Sequence, residues 1–170
     1  MTWDEAVSTL TGSGCPFEIT TQEVMGLPTK VYSRTPNSLR DLFMIARLYG
    51  DKPYLVYEDE TWSYTDLVQH IDGLAHALVH SYGIEKGDRV AIAMRNYPEW
   101  IVAFAAITSI GGIAVALNAW WVTDELEYGL KDSGSKLVIV DEERVKRIAP
   151  ILEAAKAAAI AIRATGELPP

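Results

Sequence analysis

The sequence predicts an α/β fold in which a mostly parallel sheet is layered with helices, and three observations support this prediction. Short aliphatic runs at residues 90–94, 114–117 and 137–140 are separated by two segments of helical length. A continuous apolar run without polar alternation is typical of a strand that is covered on both faces, as in a parallel sheet. Repeated alternation of strand and helix is the pattern of βαβ crossovers.

Composition and charge exclude several classes of protein. The chain has 170 residues, of which 49% are hydrophobic and 22% charged, as in an ordinary globular domain with a core. Its formal net charge of −8 argues against nucleic-acid binding, which needs a concentrated positive surface. Cys15 is the single cysteine, so no internal disulfide framework is possible and a reducing compartment is indicated.

Neither a secretory signal nor a transmembrane segment is expected. The first ten residues carry acidic groups and no basic segment. Residues 100–117 lack charge and approach the minimum length of a spanning helix, but Gly111-Gly112 falls inside them. A buried helix, a tight turn and a buried strand explain that stretch better. We therefore expect a cytoplasmic protein, with peripheral contact to a membrane as an alternative.

Two domains are predicted. Residues 1–36 lack clear periodicity and contain prolines and glycines, which predicts an extended N-terminal arm with turns rather than a packed element. Residues 37–170 should form the α/β domain. Ser38 is the expected N-cap of its first helix, and Gly50 is the residue expected to end that helix.

A small hairpin and a second helix should follow. Residues 54–57 and 61–63 flank an acidic turn and predict two short antiparallel strands. Apolar residues then recur at three- and four-residue steps, which predicts the next helix. Ser63 or Thr65 should cap it. This apolar stripe consists of Leu67, Ile71, Leu74, Leu78 and Tyr82.

Two further helices connect the strands of the sheet. Pro98 suits the first turn of a helix that is apolar on almost every face, so this helix should be buried. Thr123 should cap the next helix, which is expected to run to about Asp132.

The C-terminal part continues the same alternation. Asp141 and Glu142 should begin a helix that Pro150 ends or kinks. Residues 158–163 predict one more strand, and residues 164–170 predict a tail.

The common nucleotide-binding loops do not occur. Gly12-x-Gly14 has Phe17 where a dinucleotide fingerprint needs glycine, and no strand precedes it. The segment from Gly83 to Gly87 is too short for a phosphate-binding loop, and Asp88 replaces the lysine that would contact phosphate. Both segments are interpreted as turns.

The three histidines lie on the second helix. Asp72, His76 and His80 are four residues apart and therefore share one helix face. A metal site would need further ligands from elsewhere in the chain. The sequence offers none, so a solvated polar face is favoured over a metal site.

Trp120 and Trp121 follow the second sheet strand directly. Ligands of open α/β sheets gather beyond the carboxyl ends of the strands, so these rings are candidates for the wall of an apolar substrate pocket. The alternative, which we favour, is packing against another part of the protein.

Arg144 and Arg147 belong to the compact basic cluster of an acidic chain. Three residues apart on one helix face, they could clamp a phosphate. The alternative is a solvated face whose cations are balanced by Glu142 and Glu143.

Several sequence blocks are recognisable by their order and spacing: Pro16-Phe17-Glu18, Thr61-Trp62-Ser63-Tyr64-Thr65-Asp66-Leu67, Gly87-Asp88-Arg89-Val90-Ala91-Ile92, Asn96-Tyr97-Pro98-Glu99-Trp100, Gly111-Gly112, Val115-Ala116-Leu117-Asn118, Glu125-Leu126, Asp132-Ser133 and Lys136-Leu137-Val138-Ile139-Val140-Asp141. Together these blocks resemble the N-terminal region of AMP-forming acyl- and acid–CoA ligases, and their order is closest to bacterial fatty-acid–CoA ligases. The resemblance runs from about residue 16 to the end.

This resemblance implies the N-terminal subdomain of the adenylate-forming enzyme fold and a two-step reaction in the intact enzyme. A fatty acid carboxylate attacks the α-phosphate of ATP to give an acyl-adenylate and pyrophosphate, and the thiol of CoA then displaces AMP from the adenylate, with Mg²⁺ as the expected metal. Such chemistry needs a Ser/Thr/Gly-rich loop ending in lysine, an acidic residue for the ribose and a mobile lysine. None of these can be placed in this sequence, so no catalytic or metal-binding residue is assigned. Arg144 and Arg147 are the candidates for contact with CoA phosphate, although they do not match the family pattern position by position.

The favoured interpretation is therefore the first part of a longer ligase, inactive without the remainder of the chain and binding no cofactor alone. A surface that normally packs on that remainder should be exposed and apolar, so self-association is expected. The alternatives are a non-catalytic interaction module with the same fold and a small nucleotide-binding α/β protein.

Overall fold

The computed structural model describes residues 1–165, so most of the predicted tail, residues 164–170, lies outside the described part. Two compact units are present, Met1–Ser38 and Leu39–Pro170. In the described residues no helix combines the length and the apolar character that crossing a membrane requires.

The first unit contains regular structure where an extended arm was predicted. Helix α1 is Trp3–Thr11, and strands β1, Ile19–Val24, and β2, Leu27–Tyr32, form an antiparallel hairpin. Thr2 Oγ accepts a hydrogen bond from the Glu5 amide at 3.3 Å, and the Glu5 carboxylate accepts one from the Thr2 amide at 2.8 Å. The sequence carries both signals of this helix, the Thr2–Glu5 capping box and apolar residues at four- and three-residue steps, Trp3, Val7 and Leu10, and the prediction of an extended arm overlooked them.

The second unit begins with a helix and a hairpin, as predicted. Helix α2, Leu39–Ile45, continues as a 3₁₀ turn, Ala46–Tyr49, and Gly50 follows with φ of 57°. Strands β3, Pro53–Tyr57, and β4, Glu60–Ser63, pair antiparallel.

Helix α3, Tyr64–His80, begins at the predicted cap. Ser63 Oγ accepts a hydrogen bond from the Asp66 amide at 3.1 Å, and the Asp66 carboxylate accepts one from the Ser63 amide at 2.8 Å. Leu67, Ile71 and Leu78 are buried, whereas Tyr82 lies beyond the helix and is 40% exposed.

A parallel four-stranded sheet forms the centre of this unit. Its strands are β5, Arg89–Ala93, β6, Ile113–Ala116, β7, Leu137–Asp141, and β8, Ala158–Ile162, in the order β6-β5-β7-β8. All three pairings are parallel. The predicted parallel sheet is confirmed.

Helices cover both faces of this sheet. Helix α4, Pro98–Ser109, packs with α3 over one face, and α5, Thr123–Ser133, packs with α6, Glu142–Ile148, over the other. Along β5 the side chains of Val90 and Ile92 enter the first core, and those of Ala91 and Ala93 enter the second. Because both faces are dry, the strand is apolar at every position, as the sequence indicated.

The start of α5 departs from the prediction, and the end of α6 agrees with it. Thr123 is the first residue of α5 and not its cap. The cap position belongs to Val122, whose amide donates a hydrogen bond to the Glu125 carboxylate at 2.9 Å. Pro150 ends α6 as predicted: a 3₁₀ turn, Ala149–Ile151, leads into the short helix α7, Leu152–Ala155.

Candidate functional site

The candidate site lies at the carboxyl edge of the parallel sheet, where all four strands end. In open α/β sheets ligands bind at this edge, because the loops that leave the strands converge there. Here a charged or amide-bearing side chain follows each strand within a few residues. These residues are Arg95 after β5, Asn118 after β6, Arg144 after β7 and Arg163 after β8.

A buried ion pair, Asp141–Arg144, holds three of the strand ends together. The Arg144 guanidinium donates through Nη1 to the Asp141 carboxylate at 3.0 Å and through Nε to the Ala119 carbonyl at 2.7 Å. The Asp141 carboxylate also accepts from the Arg95 amide at 2.9 Å. Since Ala119 follows β6 and Arg95 follows β5, this one ion pair ties the ends of β5, β6 and β7.

Arg144 is therefore part of the interior. Its exposed fraction is 0%, and that of Asp141 is 2%. Its Nη2 atom is buried and has no hydrogen-bond partner in the described part of the chain. The ring of Trp120 lies 5.8 Å from the guanidinium carbon, and the guanidinium of Arg95 lies 5.4 Å from the same ring. Trp120 thus contacts two cations while remaining 69% exposed.

Arg147, the second predicted phosphate ligand, is less enclosed. Its Nη1 atom donates to the Trp121 carbonyl at 3.1 Å, and its Nη2 atom donates to Glu143 at 3.2 Å. The side chain is 32% exposed. In this structure Arg144 and Arg147 both fasten the loop that follows β6, and their contact with a CoA phosphate stays a prediction.

The two tryptophans have separate positions. Trp120 lines a cavity of about 460 Å³ at the sheet edge, whereas Trp121 packs on the core beside Gly129. Trp121 thus packs locally, as the favoured alternative has it, and substrate contact by Trp120 stays a prediction. Aromatic, apolar and polar groups share the cavity, whose lining includes Tyr57, Met94, Arg95, Trp100, Asn118 and Trp120.

Sequence reasoning missed Arg95. Its side chain is exposed and has no ion-pair partner within residues 1–165, in a chain whose net charge is −8. The residue is followed by the recognisable Asn96-Tyr97-Pro98-Glu99 block, which could have marked the edge as a site.

Arg163 forms a second charged cluster at the same edge. Its guanidinium contacts Glu60 at 2.7 Å and Glu99 at 2.9 Å, and lies 5.3 Å and 5.0 Å from the rings of Tyr57 and Tyr97. Hydrogen bonds from Arg163 lower the pKa of Glu60, and the carboxylates raise the pKa of Arg163. No sequence motif indicated this cluster, because its members are far apart in the chain.

The described residues do not fit a triphosphate or its metal. The chain contains no Ser/Thr/Gly-rich loop ending in lysine. Within residues 1–165 no three His, Cys, Asp or Glu side chains are grouped so as to hold an ion. We therefore assign no step of adenylation to these side chains.

An open parallel sheet with helices on both faces defines a doubly wound α/β domain, the class in which ligands bind at the carboxyl edge of the sheet. Residues 42–168 match the AMP-binding enzyme family, and the chain belongs to that family. The resemblance inferred from the sequence blocks is confirmed.

Individual relatives agree with this assignment. The long-chain-fatty-acid–CoA ligase of Escherichia coli O6:H1 is 34% identical over 116 residues, which cover 67% of this chain and 20% of the relative. The crotonobetaine/carnitine–CoA ligase of Salmonella paratyphi A is 36% identical over 104 residues, which cover 58% and 20%. The chain thus spans about a fifth of the length of these relatives.

Solved structures share the fold. A putative long-chain-fatty-acid CoA ligase from Rhodopseudomonas palustris matches with a TM-score of 0.70 and 25% identity, over 77% of this chain and 34% of that one. An anthranilate CoA ligase bound to anthranoyl-AMP matches with a TM-score of 0.69 and 22% identity, over 75% and 26%, which shows likeness of fold alone.

Proposed function

We propose that this chain is the N-terminal α/β part of an AMP-forming ligase that joins fatty acids to CoA. The observation that supports this most directly is the 34% identity to a long-chain-fatty-acid–CoA ligase across 67% of the chain. The single free Cys15 is in keeping with a cytoplasmic location.

In the proposed ligase, these residues supply the scaffold rather than the reacting groups. ATP, CoA and Mg²⁺ would be held mainly by side chains outside the chain described here. The contribution of this part is a rigid sheet edge, which the Asp141–Arg144 ion pair holds in one arrangement. Rigid strands position the loops of a site more accurately than flexible loops alone do.

Fatty-acid activation by the proposed ligase can be tested by exchange of labelled pyrophosphate into ATP. The 170-residue chain should give no exchange with any fatty acid, whereas the same chain extended to the length of its relatives should give exchange and then acyl-CoA. Exchange by the chain alone would overturn the scaffold proposal. An extended protein that activates only short or aromatic acids would overturn the assignment to fatty acids.

We propose that Arg147, rather than Arg144, contacts a phosphate of CoA. Arg147 keeps 32% of its side chain exposed, whereas Arg144 is enclosed. In the extended enzyme, Arg147→Met should raise the KM for CoA and leave kcat for adenylation unchanged, because adenylation precedes CoA binding. An unchanged KM for CoA would exclude this contact.

A further inference from the structure

The last two turns of α3 carry a pair of histidines whose rings nearly touch. His76 and His80 are four residues apart, and their ring centroids lie 4.2 Å from each other with the planes tilted by 42°. Both side chains are exposed. Neither ring makes a hydrogen bond or an ion pair within the described residues, so their nitrogens are available to a ligand from solvent.

The nearest carboxylate on this helix face does not compete for the two rings. Asp72, one turn before His76, accepts two hydrogen bonds from Arg47 Nη2, both at 2.7 Å. Its negative charge is therefore balanced, and it is held toward the 3₁₀ turn that follows α2.

We propose that His76 and His80 together chelate one transition-metal ion of the imidazole-preferring class, Cu²⁺, Ni²⁺ or Zn²⁺. With metal–nitrogen distances of about 2.0–2.1 Å, two nitrogens at a tetrahedral angle lie about 3.3 Å apart. Histidines at i and i+4 on one helix face reach that separation with small changes in side-chain torsion. Mg²⁺ and Ca²⁺ prefer oxygen ligands and should not bind.

The site holds the ion by two protein ligands, and water fills the remaining positions. In residues 1–165 no third His, Cys, Asp or Glu completes a cluster with this pair. A chelated ion would bridge the final turns of α3, so it binds the folded helix and stabilises it by mass action. It adds a metal site to a helix for which the sequence favoured a solvated polar face.

The third histidine provides a matched control. His70 lies on the same helix, but its ring stacks on Trp62 with the centroids 4.5 Å apart, and no second imidazole adjoins it. Substituting His70 changes the histidine count as His76→Ala does while leaving the proposed pair intact.

Titration calorimetry of the full chain at about pH 7.5 with Cu²⁺, Ni²⁺, Zn²⁺ and Mg²⁺ tests the site. We expect one ion per chain, Cu²⁺ to bind more tightly than Zn²⁺, and no binding of Mg²⁺. His76→Ala and His80→Ala should each weaken binding at least about tenfold, and His70→Ala should leave it unchanged.

Thermal unfolding gives a second, independent measurement. Zn²⁺ should raise the Tm of the wild type and of His70→Ala, but not that of the other two variants, whose circular dichroism without metal should match the wild type. Equal metal binding by all three variants would overturn the proposal, as would no binding by the wild type. A stoichiometry of one ion per two chains would assign the pair to a contact between copies and would also contradict chelation within one helix.

Discussion

The guanidinium of Arg163 binds the carboxylate of Glu99, with Nε 2.9 and 3.0 Å from the two oxygens, although 64 residues separate them. The same guanidinium donates to both oxygens of Glu60, which is 103 residues away. One side chain thus connects the hairpin β3–β4, the start of α4 and the end of β8. Because bidentate hydrogen bonds between ions are directional, this contact orients the three elements.

Replacing Arg163 should loosen the hairpin. Arg163→Met is expected to lower the free energy of unfolding by roughly 1–3 kcal/mol, since it leaves two carboxylates close together without their cation. Arg163→Lys should retain part of this stability but lose the bidentate geometry. Urea unfolding measures both, and a Lys variant less stable than the Met variant would contradict this explanation.

Acid should weaken the contact of Arg163 with Glu60 and a second ion pair, that of Lys136 with Asp88. Arg163 lowers the pKa of Glu60, whose unfolded-state value is 4.5, and Lys136 lowers the pKa of Asp88, whose unfolded-state value is 3.8. The unfolded chain therefore binds protons first as the pH falls, so this stabilisation is complete above the unfolded-state values and is lost through the lower folded-state values. Tm should fall steeply below about pH 4.5, and Glu60→Gln should make that fall shallower. A Tm that is constant down to about pH 2.5 would be inconsistent with both shifts.

The buried ion pair Asp141–Arg144 at the sheet edge should contribute more to stability than the partly exposed pair of Arg147. Arg144→Met leaves the Asp141 carboxylate buried without its cation, and we expect a loss of about 3–5 kcal/mol. Arg147→Met is the matched control on the same helix, and its partly exposed pair should cost less than about 1 kcal/mol. Guanidinium denaturation compares the two, and equal losses would show that burial does not decide the difference.

Replacing two glycines with alanine should change the stability of the chain in opposite directions. Gly73 lies within α3 with nothing inside 4 Å of the position a Cβ would take, so Gly73→Ala should stabilise the chain by about 0.5–1 kcal/mol. A Cβ on Gly112 would lie 3.0 Å from the Ile107 carbonyl oxygen, and Gly112→Ala should destabilise by about 1–3 kcal/mol. Thermal unfolding of both variants checks this, and the same sign of change in both would contradict it.

The outer face of α2 and its 3₁₀ turn should promote self-association. Leu48 is 83% exposed, and Leu42, Met44, Ile45 and Tyr49 around it are 40–49% exposed. A contiguous apolar surface that is left exposed favours association with a partner surface. Leu48→Ser should reduce association in sedimentation experiments and dye binding, with little change in Tm, whereas Val56→Ser, at an exposed position on β3 outside this face, should change neither. A wild-type chain that sediments as a monomer and binds no hydrophobic dye would refute this prediction.

The sequence by itself determined the parallel sheet, its covering helices and the family. Apolar runs, helix caps and the order of motifs can all be recognised along the chain without knowledge of tertiary contacts. The sequence also carried the capping box of α1, Thr2 with Glu5, which the prediction of an extended arm overlooked. Only the tertiary structure decided that Arg144 is interior and that Arg163 joins Glu60 to Glu99. The strand order β6-β5-β7-β8 brings these distant residues together, and burial then determines which charges remain available to a ligand.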